Sequence, residues 1–160
     1  MITARQALSL GATLLLVPAL GASLSACQPR ASEDSSQVVE GYRFDYGVAP
    51  VEVVKAHPSD HPETTMHNGP VPGSYHITLA VSDVKTGARI DDAHAQLDVS
   101  GPGHPFQATM PLELMTINGA ATYGGNVALP SSAKYRLTFE VIRPGQGHSA
   151  IKARFLYDRP

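Results

Sequence analysis

KYRLTFEV, residues 134–141, is the stretch whose reading decides the fold. Tyr135, Leu137, Phe139 and Val141 alternate with Arg136, Thr138 and Glu140. A period of two belongs to a strand with one face in a core and the other in water. Ile151, Ala153, Phe155 and Tyr157 repeat the pattern against Lys152, Arg154 and Asp158. Upstream, Tyr75, Ile77, Leu79 and Val81 share one face, leaving His76, Thr78 and Ser82 on the other. A further strand is expected over Ala88 to Val99, with Ala93, Ala95, Leu97 and Val99 inward and Asp92, His94, Gln96 and Asp98 outward. Weaker alternation points to strands at 42–48, 51–55, 106–114 and 121–128. Turn chemistry separates them: Lys85-Thr86-Gly87, Gly101-Pro102-Gly103, Asn118-Gly119, Pro130 and Pro144-Gly145. With no sustained helical period and no internal repeat, the chain is expected to be all-β.

About seven short strands closed by frequent turns describe a β-sandwich of immunoglobulin-like or cupredoxin-like build. The sandwich is expected to occupy residues 41–160, the size of one ordinary domain. Residues 1–26 read instead as a secretory signal: one basic residue, Arg5, then an apolar run from Leu8 to Leu20, then small residues. That run is short for a spanning helix, which needs about 20 apolar residues, and Pro18 and Gly21 interrupt it. Leu24-Ser25-Ala26-Cys27 resembles the bacterial lipobox, which implies cleavage before Cys27 and a lipid on its thiol. Cys27 is the single cysteine, so no disulfide forms within the chain. Gln28 at the next position implies, by analogy with such lipoproteins, the periplasmic side of the outer membrane. Residues 27–40 then read as the lipidated cysteine and a flexible tether, polar and without periodicity.

The chain carries 12 Lys+Arg and 14 Asp+Glu; losing Arg5 with the signal leaves 11 basic residues and a net charge of about −3. No basic patch suits nucleic acid, and none is expected as a partner. Enzymatic settings are also missing. There is no Gly-x-Ser-x-Gly elbow and no His-Glu-x-x-His, and Asp91-Asp92 would point to opposite faces of a strand. No catalytic residue is assigned.

Two segments carry a resemblance. Asp83 to Ala93 (DVKTGARIDDA) resembles a turn-and-strand pattern common in extracellular immunoglobulin-like modules, which bears on fold alone. Met115 to Val127 (MTINGAATYGGNV), followed by Lys134-Tyr135-Arg136-Leu137-Thr138-Phe139, resembles the bacterial periplasmic iron-transport-associated proteins, which are copper-binding and cupredoxin-like. The likeness extends from about Tyr42 to Arg143, with Tyr46 to Glu52 matching an early segment. It implies a sulfur ligand at Met115. Thr122 falls where that family has a histidine, so one ligand of its set is absent. The family's remaining ligands imply His67 or His76 nearer the N-terminus and His148 in a late loop. By this resemblance the expected cofactor is a copper or iron ion and an envelope transport or metallochaperone protein is an expected partner; the lipobox resemblance adds the membrane, through Cys27.

HPSDHPETTMH, residues 57–67, states the metal question most densely. Four of the chain's seven histidines fall between 57 and 76, with Met66 among them. Thioether sulfur is a soft ligand that selects Cu(I), while imidazole serves both copper states. Pro58 and Pro62 forbid a helical His57–His61 pair, so those rings converge only if the loop doubles back. Asp60 and Glu63 could accept from ring N–H groups. Met66 and His67 adjoin the strand of His76 and rank ahead of His57 and His61, which read as solvated or auxiliary. Taken singly, each of these residues is as well explained as a wet-loop histidine or a core methionine. The competing function is a tethered, non-catalytic immunoglobulin-like interaction module. It predicts scattered histidines and an exposed apolar patch around Val48 to Val54.

Overall fold

A computed structural model of the chain describes residues 34–64, 71–145 and 149–160, the side chains of 106–108 excepted. Eight strands and one short helix follow in chain order. They are β1 (Ser36–Val39), β2 (Tyr42–Pro50), α1 (Val51–Lys55), β3 (Tyr75–Asp83), β4 (His94–Gly101), β5 (His104–Ile117), β6 (Ala120–Val127), β7 (Lys134–Ile142) and β8 (Ile151–Asp158). The strand order is β1-β2-β3-β6-β5-β4-β7-β8, antiparallel throughout. The 14-residue β5 joins the two layers: it pairs with β4 up to Leu112 and with β6 from Glu113 onward. At the far side, the Arg154 backbone N–H donates to Gln37 Oε1 at 3.0 Å, so β1 and β8 nearly close the sandwich. Among the described residues no helix is long and apolar enough to cross a membrane.

The alternation of 134–141 is realised in full. Tyr135, Leu137, Phe139 and Val141 are buried, and Ala153 and Phe155 of β8 pair with Phe139 and Leu137. Tyr46, Phe139 and Phe155 pack as tilted and edge-on rings with centroids 4.7–5.9 Å apart. Two hairpins turn on left-handed residue pairs, Glu40-Gly41 and Asn118-Gly119. Positive φ at both central residues gives the turn twist that suits adjacent strands.

Four expectations are corrected. Residues 51–55 form a helix rather than a strand, because Val51 and Val54 are the buried pair, a helical spacing, while Val53 is half exposed. Pro50 sets the turn into this helix, and the Val51 N–H donates to Ser74 O. Burying Val51 and Val54 also removes the exposed apolar patch expected around Val48 to Val54. The strand expected from Ala88 begins only at His94: the Tyr123 hydroxyl donates to Ile90 O and accepts from the Ala93 N–H, holding 90–93 off the ladder. Finally, Ser36–Val39 belongs to the sheet as β1, inside the segment 27–40 expected to be tether, because the Glu40-Gly41 hairpin folds it onto β2.

Candidate metal centre

The centre lies on the outward face of β3, β6 and β5, away from the core. Parity puts Ile77 and Leu79 inside and His76 and Thr78 outside, yet His76 is only 1% exposed. Its cover is the excursion between β2 and β3, comprising α1 and the turns after it. Val53, Val54, His57 and Glu63 from the excursion, with Ala49 and His76 from the strands, line a depression of about 240 Å³.

The excursion doubles back through successive turns, as the prolines require. The His61 N–H donates to Pro58 O and the Thr64 N–H to His61 O, both at 2.9 Å. The Thr64 hydroxyl lies 2.7 Å from His61 O and 3.2 Å from the carbonyls of Pro58 and Ser59, fastening the curl. This brings the His57 and His61 rings to a centroid separation of 4.4 Å.

Glu63 stands at the middle of the constellation. Its Oε2 is 3.1 Å from His57 Nδ1 and 3.7 Å from His61 Nδ1, and its Oε1 is 3.7 Å from His76 Nε2. The Glu63 side chain is 11% exposed, and the three imidazoles stand within 3.7 Å of its carboxylate. A buried carboxylate costs free energy unless a cation compensates it, either imidazolium or a metal ion.

His76 is oriented for ligation. Its Nδ1 donates to Asn126 Oδ1 at 2.9 Å, which leaves the Nε2 lone pair directed at the depression. Both His76 Nε2 and His57 Nδ1 are buried without a hydrogen-bond partner. A second-sphere acceptor that fixes the far nitrogen of a histidine is the usual companion of a metal-binding imidazole. Met115 approaches the His76 ring from β5, over Gly124. A Cβ placed on Gly124 would collide with Met115 Cε and lie 3.2 Å from His76 Cε1 and Nε2. Gly124 therefore supplies the space in which thioether and imidazole meet. The register sets Thr122 directly across from Met115.

The structure thus brings together His57, His61 and His76, with Met115 beside His76. Met66, His67, His148 and Cys27 lie outside the described residues. His94 is exposed, and His104 Nε2 bonds Ala128 O at 2.7 Å, away from the centre. Sequence reasoning gave Glu63 only a supporting part and did not single out Asn126 or Gly124. Gly124 left one usable signal: a glycine inside an expected strand marks a bulge or a close approach of neighbours.

Neither a family model nor a curated relative matches the sequence. Solved structures do match, and they show that this chain shares its fold with proteins of known structure, two of which are copper-bound bacterial proteins. A copper-bound variant of FetP from uropathogenic Escherichia coli aligns over 81% of this chain and 96% of its own, with TM-score 0.61 and 9% identity. Copper-reconstituted P19 from Campylobacter jejuni aligns over 80% and 94%, with TM-score 0.57 and 11% identity. A DUF4426 family protein from Pseudomonas aeruginosa aligns over 79% and 99%, with TM-score 0.52 and 11% identity. At these identities the likeness is one of fold.

Proposed function

We propose that this chain is a copper-binding protein of the bacterial envelope, holding the ion through His57, His61, Glu63, His76 and Met115 and passing it to a partner. The observation that carries the reading is His76 Nε2: buried, without a hydrogen-bond partner, its ring fixed by Asn126, and aimed at a buried carboxylate. An arrangement that only filled space would leave that nitrogen unsatisfied at a cost of about 1–3 kcal/mol. A metal ion satisfies it and offsets the Glu63 charge. Imidazole with thioether suits copper, and the copper-bound state of the FetP and P19 structures supports copper over ferrous iron. Two donor-bearing turns on an exposed excursion let the ion leave by exchange of ligands, as a hand-off requires. No bond-making chemistry is needed for this role.

Delivery to the periplasmic side of the outer membrane through a lipid on Cys27 belongs to the same proposal and rests on the Leu24-Ser25-Ala26-Cys27 motif. The test is copper titration of the full chain carrying Cys27→Ser, so that the thiol does not compete. Tight copper binding that falls at least tenfold in His76→Ala supports the reading. Binding unchanged by His76→Ala, or a preference for ferrous iron over copper, overturns it.

A further inference from the structure

The outward face of β4, β7 and β8 belongs to the layer opposite the metal centre. Leu97, Phe139 and Ala153 point into the core, so their neighbours Asp98, Thr138 and Arg154 stand in one row on the outside. Gln96, Glu140 and Lys152 form the row to one side, and Ser100, Arg136 and Leu156 the row to the other. The short Ser100 and Thr138 lie among longer side chains, and the rows enclose a depression of about 290 Å³. Arg136, Lys152 and Arg154 line it against Asp98 and Glu140, an excess of one positive charge on a mature chain of net charge about −3. Asp98 is 5% exposed and accepts from the Thr109 hydroxyl, and Lys152 pairs with Glu140. Arg136 is exposed.

The point at which the tether leaves the domain gives this face its occupant. β1 begins at Ser36, and the Gln37 side chain accepts from the Arg154 backbone N–H, so the chain towards Cys27 departs beside β8. Cys27 and Ser36 are nine residues apart, a reach of at most about 32 Å, against about 45 Å for a 14-residue strand such as β5. A lipid on Cys27 therefore keeps the domain within its own length of the bilayer, with β8 near the point of attachment. We infer that the outward face of β4, β7 and β8 docks on the phosphate headgroups of the leaflet that holds the Cys27 lipid. This rests on the lipid anchor proposed above and is independent of the copper. The guanidinium groups of Arg136 and Arg154, diagonal neighbours on β7 and β8, match phosphate oxygens. Glu140 and Asp98 beside them suit the ammonium of an ethanolamine headgroup. Three cations are too few to hold an untethered chain on a membrane, but a short tether gives such a contact a millimolar effective concentration. The lipid supplies the affinity and the face supplies the orientation. The metal centre, on the opposite layer, is turned towards the aqueous side, where a partner can reach it.

The experiment expresses the full chain with its signal, takes the product from bacterial membranes and reads the lipid from the mass of the Cys27 peptide. The protein is then placed in vesicles of phosphatidylethanolamine and phosphatidylglycerol, or in neutral detergent micelles, and acylated with a water-soluble amine reagent. Lys152, 44% exposed, reports on the docking face, and the exposed Lys55 of α1 reports on the metal-centre side. Acylation of Lys152 is expected to slow at least threefold on the vesicles, with Lys55 unchanged. Arg136→Glu and Arg154→Gln, each checked for an unchanged unfolding transition, are expected to restore the micelle rate, as are vesicles of an uncharged galactolipid. A Lys152 equally reactive in vesicles and micelles, or slowed regardless of both substitutions, overturns the docking while leaving the lipid anchor intact. Slowing in native envelopes but not in vesicles of lipid alone assigns the face to a protein and overturns the docking as well. No lipid on Cys27 removes both readings.

Discussion

At the scale of single residues, the centre depends on side chains that touch no ion themselves. Asn126 holds His76 Nδ1, so Asn126→Leu is expected to free the ring and lower copper affinity about 10–100-fold, measured by competition titration. The strands should tolerate the change, because Asn126 lies on the outer face with His76. Gly124→Ala is expected to displace Met115 Cε and reduce Cu(I) affinity more than Cu(II) affinity, because the new Cβ occupies the hollow that the thioether shares with His76. The histidine cluster was legible in the sequence because residue type and crowding identify ligands without a fold. The order within it was not, because strand parity says which way His76 points but not what covers it. Glu63 was likewise visible only as an acid near histidines. Its central place follows from the Thr64-fastened turns, whose curl no periodicity reports.

At the scale of elements, the two ends of the excursion between β2 and β3 are joined to each other by Val51 N–H to Ser74 O and Gly73 N–H to Glu52 Oε1. The backbone N–H of Glu52 itself and the Gly73 N–H hold the Glu52 carboxyl below its usual range. A metal joining His57, His61 and Glu63 to His76 fastens the same segment much more firmly. Copper is therefore expected to slow amide exchange over 51–64 at least tenfold while leaving β7 unchanged, as read by hydrogen exchange. Protons compete with the metal for imidazole, so this protection is expected to fade as the solution is acidified. The helical nature of 51–55 escaped the sequence because Val-Glu-Val-Val satisfies both periods over so short a run. Burial of Val51 with Val54 decides it, and that depends on the sheet beneath.

At the scale of the whole molecule, the fold was the most legible feature, since 134–141 and 151–157 state their inward faces outright and the turn residues divide the rest. What remained hidden were long-range pairings, such as β1 on β2 and the Tyr123 hydroxyl that delays β4. Phe139, fully buried between Tyr46 and Phe155, is expected to cost about 3–5 kcal/mol when replaced by Ala, read by denaturant unfolding. The Arg143 guanidinium, bidentate to Asp92 at 2.8 and 3.0 Å, holds the Asp92 carboxyl below the usual range. A depressed carboxyl contributes fully above its unfolded value and loses its contribution as pH falls through its folded one. The Asp92 side chain is 48% exposed, so Asp92→Asn is expected to cost no more than about 1 kcal/mol at neutral pH and nothing in strong acid.

The central claim is that copper binds where the excursion meets the sheet, on imidazole, carboxylate and thioether. X-ray absorption at the copper edge of the full chain carrying Cys27→Ser, loaded with Cu(I), tests it most directly. The account predicts imidazole scattering together with a sulfur neighbour that disappears in Met115→Leu, and weaker imidazole scattering in His76→Ala, where His57 and His61 remain. A copper environment of oxygen alone, or one indifferent to both substitutions, would contradict it.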